Sequence, residues 1–178
     1  MTHIRTAAYP TERSVEFNLT AELYPAEAYN ECADASPRKI SVTIRQPEAN
    51  SDESYAFVED HIGDRRKPFV YSIPVTVRHG RRQITFILFF KNHPLARPNA
   101  CLESFVEVGI GGSFLRSDVV VMKAGTRRPG YVNIQHKDRK LITWFMKKIC
   151  KKQVMAGNLS NLPKGFSANK STGIVTDI

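Results

Sequence analysis

The chain is poor in cysteine, and the three it has, Cys32, Cys101 and Cys150, stand about seventy and fifty positions apart. No CxxC pair or short Cys/His cluster exists, which excludes a disulfide scaffold and a zinc ribbon and predicts buried, neutral thiols. Long apolar runs are missing too. Ile87–Phe90 and Val119–Met122 stop far short of the roughly 20 residues that a spanning helix needs. Met1–Glu12 has no apolar stretch after a basic start, so no secretory signal is expected and the reading is intracellular, cytoplasm or nucleus. On that reading the sequons at Asn18, Asn158 and Asn169 would never meet the glycosylation machinery.

Catalytic constellations are equally scarce. Gly109-Ile-Gly-Gly-Ser113 has the look of a phosphate cradle, but no Lys-Ser or Lys-Thr follows and no further glycine completes a dinucleotide fingerprint, so it reads as a turn. Asp118 and Lys123 lie five apart on a strand, an odd spacing that puts them on opposite faces and argues against a nuclease-like pair. His3, His61, His79, His93 and His136 are scattered, and Cys101 has no local histidine to act as its base. The expectation is a non-catalytic protein with no cofactor, no metal site and no identifiable small-molecule substrate.

What is present is globular. The 178 residues, 42% hydrophobic and 24% charged, suit one domain with one core. Ser14–Thr20 alternates Val15, Phe17 and Leu19 with polar neighbours, and Lys39–Arg45 alternates Ile40, Val42 and Ile44; both read as strands. Ala21–Arg38 has no clean period and reads at most as a helical turn. Val70–Arg78 carries Pro74, which cannot donate to a ladder, and so reads as an edge or bulged strand. Ile84–Phe90 is apolar on both faces, which places it mid-sheet, and the two form a hairpin with a three- or four-residue loop around Gly80. Asn99 caps a predicted two-turn helix bearing Leu102, Phe105 and Val106. Strands follow at Asp118–Lys123 and Tyr131–Gln135, and a helix from about His136 to Gln153.

The predicted fold is α+β: residues 14–153 as a single domain, a mainly antiparallel sheet with a central hairpin, covered on one face by the amphipathic C-terminal helix. Residues 1–13 read as a loose terminus and 154–178 as a disordered tail.

Charge is divided along the chain. Residues 1–60 hold five Arg and Lys against eleven Asp and Glu, residues 61–178 hold twenty-one against six, and the whole carries +9. At about 100° per residue, Leu141, Ile142, Phe145, Met146 and Ile149 fall on one arc of the last helix. Lys140, Lys147, Lys148 and Lys151 fall on the other, with Trp144 among them. An indole among ammonium groups suits stacking on a base and attraction to phosphate, or a lipid headgroup layer. A second basic group is Arg78, Arg81 and Arg82 at the hairpin, with Arg127 and Arg128 in a later loop. Arginine forks in loops suit phosphate.

The predicted partner is therefore a polyanion, most plainly nucleic acid, bound through Lys140, Trp144, Lys147, Lys148, Lys151, Arg78, Arg81, Arg82, Arg127 and Arg128. Two alternatives stand beside it. The acidic residues 1–60 would fold onto the basic part, or pair with a second copy, in a protein–protein module; or the helix would bind a membrane peripherally, which requires its apolar arc to be free.

Between Ile84 and about Lys152 the chain carries in order an apolar strand ending Phe89-Phe90, His93-Pro94-Leu95, Asn99, Arg116–Lys123, and Val132-Asn133-Ile134 leading through Asp138 into a basic helix. In that order of features it resembles a group of short uncharacterised proteins from mushroom-forming fungi. The resemblance implies one continuous fold from hairpin to helix, and no activity, cofactor or partner.

Overall fold

The computed structural model describes residues 14–26, 36–47, 55–62, 70–79, 82–91, 99–105, 115, 117–125, 130–156 and 174–177. They form an eight-stranded, mainly antiparallel sheet with two helices, an α+β architecture. The strands are β1 (Ser14–Tyr24), β2 (Arg38–Pro47), β3 (Tyr55–Ala56), β4 (Tyr71–His79), β5 (Arg82–Phe90), β6 (Val119–Ala124), β7 (Tyr131–Val132) and β8 (Ile174–Asp177). The helices are α1 (Ala100–Glu103) and α2 (His136–Ala156), and Glu59–His61 is a 3-10 turn. In space the order is β3-β2-β1-β6-β5-β4-β8, with β7 beside β6. All pairings are antiparallel except β4 with β8.

Strand alternation builds two cores, one on each face of the sheet. On the helix side, Tyr24, Ile73, Val75, Val77, Phe86, Leu88, Phe90, Val119 and Val121 pack under Ile142, Phe145, Met146, Ile149 and Cys150 of α2. The Phe86 and Phe145 rings lie 5.2 Å apart, within the range in which aromatic pairs add to simple area burial. On the reverse side Leu19, Ala21, Leu23, Val42, Ile44, Phe89, Val120 and Met122 gather with Val58 and Ile62 from the 3-10 turn. β5 and β6 contribute to both cores, as their apolar runs predict for central strands.

The apolar arc of α2 is thus consumed by the sheet. The helix start is fixed by Asp138, which is 3% exposed. Its Oδ2 accepts from the Gln135 backbone N–H at 2.9 Å, and Lys123 Nζ donates to the same carboxylate at 2.9 and 3.0 Å. A carboxylate three residues into a helix that reaches back to the residue before it is half of a capping box, and it also suits the positive end of the helix dipole.

Asn99 joins three segments from a fully buried position. It caps α1 by accepting from Leu102 N–H at 3.0 Å, and its amide donates to the carbonyls of Tyr24 and Ser117 at 3.0 and 2.7 Å. Ser117, at φ 62°, stands in the left-handed region and turns the chain into β6.

Several elements differ from the sequence expectations. β1 does not stop at Thr20: the alternation runs on, with Ala21 and Leu23 in one core and Glu22 and Tyr24 turned to the other side, where a helical turn was expected. A buried glutamate hid that continuation. The helix after Asn99 has one turn within the described residues, and Val106 lies outside them. The register His79↔Arg82 leaves only Gly80 and Arg81 to connect the hairpin, fewer than expected. β8 pairs alongside β4 only from Val75 to Arg78, so that part of β4 is internal, while Pro74 stands one residue outside the pairing. β8 itself arises in the stretch whose composition predicts disorder. Ile174, Val175 and Thr176 are β-branched and suit a strand, but four residues are too few to show a period. α2 extends through Ala156, past the expected Gln153.

Candidate functional site

The outward side of α2 carries the residues that the sequence singled out. Lys140 and Lys147 are exposed, and Lys148 and Trp144 are half-buried. Trp144 lies against the rim of the helix-side core, and Lys148, one turn on, holds its Nζ 4.6 Å above the indole. Lys147 Nζ sits 5.4 Å over the ring of Phe105, just beyond α1. Both are cation–π distances. The result is a ridge of two ammonium groups seated on two aromatic rings, with Lys140 two turns before it. Lys151 belongs to the helix, but its side chain lies outside the described residues.

Of the arginines, Arg78 and Arg82 are described. Phe86 is opposite Lys123, so Arg82 lies past the point where β6 ends. Lys147 lies beside Phe105, near α1. Alternation also separates Arg78 from Arg82. Arg82 shares a face with Ile84 and Phe86, toward α2, while Arg78 shares the reverse face with Thr76 and Gln83. Arg81, Arg127 and Arg128 lie outside the described residues.

Among the described residues, one ion pair connects the acidic first sixty residues to the basic remainder: Arg139 Nε to Glu22 Oε1, 3.3 Å. Arg45 is taken by Glu16 within the acidic part, and Lys123 by Asp138 within the basic part. Neither Lys140 nor Lys147 has an ion-pair partner among the described residues.

Glu22 and Tyr24, on β1 beneath α2, were not singled out by the sequence. Glu22 is 2% exposed, and its Oε2, like Tyr24 Oη, has no hydrogen-bond partner among the described residues. Burial raises the Glu22 carboxyl above its ordinary range, against the opposing pull of Arg139 and Lys39. Burial also raises the Tyr24 phenol, and the Glu22 charge adds to it. Cys101 and Cys150 are both buried; burial pushes them up to about 12 and about 11, with the neighbouring thiol and Glu22 adding to the shift at Cys101. Thiols held in that form are poor nucleophiles. The continued alternation Leu19, Ala21, Leu23 was the signal that could have placed Glu22 and Tyr24 inside.

Among the described residues no three His, Cys, Asp or Glu side chains group in a metal-binding arrangement, and no helix is long and apolar enough to cross a membrane. No protein-family model, curated protein or solved structure matches the chain. Function is therefore argued from the site's own chemistry.

Proposed function

We propose that the protein binds a polyanion, nucleic acid, through the outward face of α2, with Lys140, Lys147, Lys148 and Lys151 as phosphate contacts and Trp144 at their centre. The observation that carries this reading is the exposure of Lys140 and Lys147 with no carboxylate partner among the described residues, beside a lysine-capped indole. Ammonium groups of this kind release counterions when they meet phosphate, so affinity comes without base readout. Arg82, exposed on the face toward α2, is a further cation that a long polyanion would meet. Peripheral membrane binding is the weaker reading, because Phe145 and Ile149 are held in the core and an interfacial helix needs them free.

The test is a titration against duplex DNA, single-stranded RNA and anionic vesicles at about 50 and about 200 mM salt. The parent is compared with a variant carrying Lys140→Ala, Lys147→Ala, Lys148→Ala and Lys151→Ala. The expected result is nucleic-acid binding whose log–log salt slope on duplex falls in magnitude by up to about 4 in the variant. An unchanged slope and affinity would remove α2 as the contact surface. Weak, salt-insensitive binding together with a stable dimer in sedimentation would favour a protein–protein role.

A further inference from the structure

Among the described residues the outer edge of the sheet at β2 is unpaired over half its length, and its hydrogen-bonding groups can be assigned. β3 pairs with β2 only at Ile44 and Arg45, and the Phe57 N–H then donates to Thr43 O at 2.9 Å. Beyond that the chain leaves the edge: Val58 and Ile62 of the 3-10 turn tuck into the reverse-side core. A strand residue points its N–H and C=O to the same side, and alternate residues point the same way. Thr43 bonds outward, so Ser41 and Lys39 do too, while Ile40, Val42 and Ile44 bond inward to β1. The other flank of β1 agrees. Thr20, between the residues facing β2, receives the Ile134 N–H on its carbonyl at 3.0 Å and donates its N–H to Asn133 at 2.7 Å. The backbone groups of Lys39 and Ser41 have no bond among the described residues.

The side chains along this edge define what would fit it. Lys39, Ser41 and Thr43 share the face that carries α2, and Ile40, Val42 and Ile44 share the reverse face with Leu19 and Ala21. Arg38 and Lys39 are exposed. On the Lys39 face Glu16 is taken by Arg45, and Glu22 lies between Arg139 and Lys39, so among the described residues of that face one positive charge is in excess. A second copy of β2 would bring no carboxylate to set against Lys39, since residues 38–47 contain none.

We propose that β2 accepts an extended acidic segment of another protein as an added antiparallel strand, bonded to the backbone of Lys39 and Ser41. Its carboxylates lie beside Lys39, and its alternate apolar residues extend the reverse-side core past Ile40 and Val42. Main-chain bonds of this kind give affinity and the alternating side chains give selectivity. The surface is distinct from the α2 ridge and stands or falls independently of it.

The test uses the full chain and a short peptide alternating valine with glutamate, beside the same peptide with lysine in place of glutamate. Amide hydrogen exchange is followed at single residues. The acidic peptide is expected to slow exchange at Lys39 and Ser41 by at least about tenfold at saturation, with Ile40 and Val42 unchanged, and to bind at least about tenfold more tightly than the basic peptide. Ser41→Pro removes only an outward N–H, a substitution edge strands tolerate, and should abolish binding without loss of fold. Lys39→Glu should reverse the peptide preference. Four results overturn the proposal: Lys39 and Ser41 amides already protected in the free chain, equal binding of both peptides, unaltered binding by the Ser41→Pro protein, or a dimer in sedimentation that protects the same amides without peptide.

Discussion

Replacing Asn99 should cost more stability than any other single polar change, and the three bonds it makes say how much. Asn99→Ala removes the cap on Leu102 N–H, worth about 1 kcal/mol. It also strips the donors from two buried carbonyls, Tyr24 O and Ser117 O, at about 1–3 kcal/mol each where no water replaces the amide. The sum is roughly 3–7 kcal/mol, a large part of the 5–15 kcal/mol typical of a domain. Urea denaturation followed by circular dichroism measures it. Asn99→Asp tests the assignment further, because it keeps the acceptor for Leu102 N–H but turns a carboxylate toward two carbonyl oxygens. At neutral pH it should be at least as unstable as Asn99→Ala. On acidification the new carboxyl, raised by burial and by those carbonyls, gains a proton and can donate to one of them. The Asp variant should therefore recover relative to the Ala variant as pH falls through that raised pKa. A loss below about 1 kcal/mol in Asn99→Ala, or no difference in pH profile between the two variants, would show that Asn99 does not join β1, α1 and the turn into β6.

Glu22→Gln should change the pH profile in a defined sense. The folded carboxyl is raised, so its contribution to stability is full below the unfolded pKa and is lost as pH rises through the folded one. The Gln protein should gain on the parent from about pH 4 toward neutrality; a flat difference, or one of opposite sign, would mean that the Arg139 pair outweighs burial. Phe145→Ala should cost about 3–5 kcal/mol, since the ring is fully buried against Phe86, and a loss under about 1 kcal/mol would mean that α2 is not docked as described. Asp138→Asn should cost about 1.5–3 kcal/mol by weakening the helix cap and leaving Lys123 without its carboxylate, measured by thermal melting at low and high salt. Trp144→Ala should lower single-strand affinity by about 1–3 kcal/mol if the indole stacks on a base, and equal losses on duplex and single strands would assign it to packing instead.

Much of the fold was legible because period carries it. Ile40, Val42 and Ile44, the two-faced run Ile84–Phe90, and the Leu141, Ile142, Phe145, Met146, Ile149 arc each took the place that alternation or helical spacing assigned. What was not legible depended on partners distant in sequence. Glu22 reads as a surface residue until Arg139, more than a hundred positions later, is set beside it. Tyr24 belongs to a strand whose continuation looked like an irregular Ala- and Pro-rich segment. β8 is four residues without a pattern until β4 offers its flank. Of the candidate ridge, helical spacing placed Lys140, Lys147 and Lys148 together but could not show Phe105 under Lys147, because that ring comes from a different segment. Nor could it show Arg78 and Arg82 turned to opposite faces, because that required the register of the hairpin.

The described carboxylates of residues 1–60 are Glu16, Glu22, Glu59 and Asp60, and none of them pairs with Lys140 or Lys147. The pair that does cross, Glu22 with Arg139, lies beneath the helix rather than on its outward side. The docking of α2 therefore consumes an arginine and leaves Lys140 and Lys147 outward. In the same way, Glu16 turns to Arg45 across β1 and β2 and leaves Lys39 as the cation on the open edge. Lys123 is held by Asp138 at the helix start, whereas Lys140 and Lys147 have no carboxylate among the described residues. Surface lysines without carboxylates suit partners that bring their own negative charge, which is what the α2 ridge and the β2 edge each require.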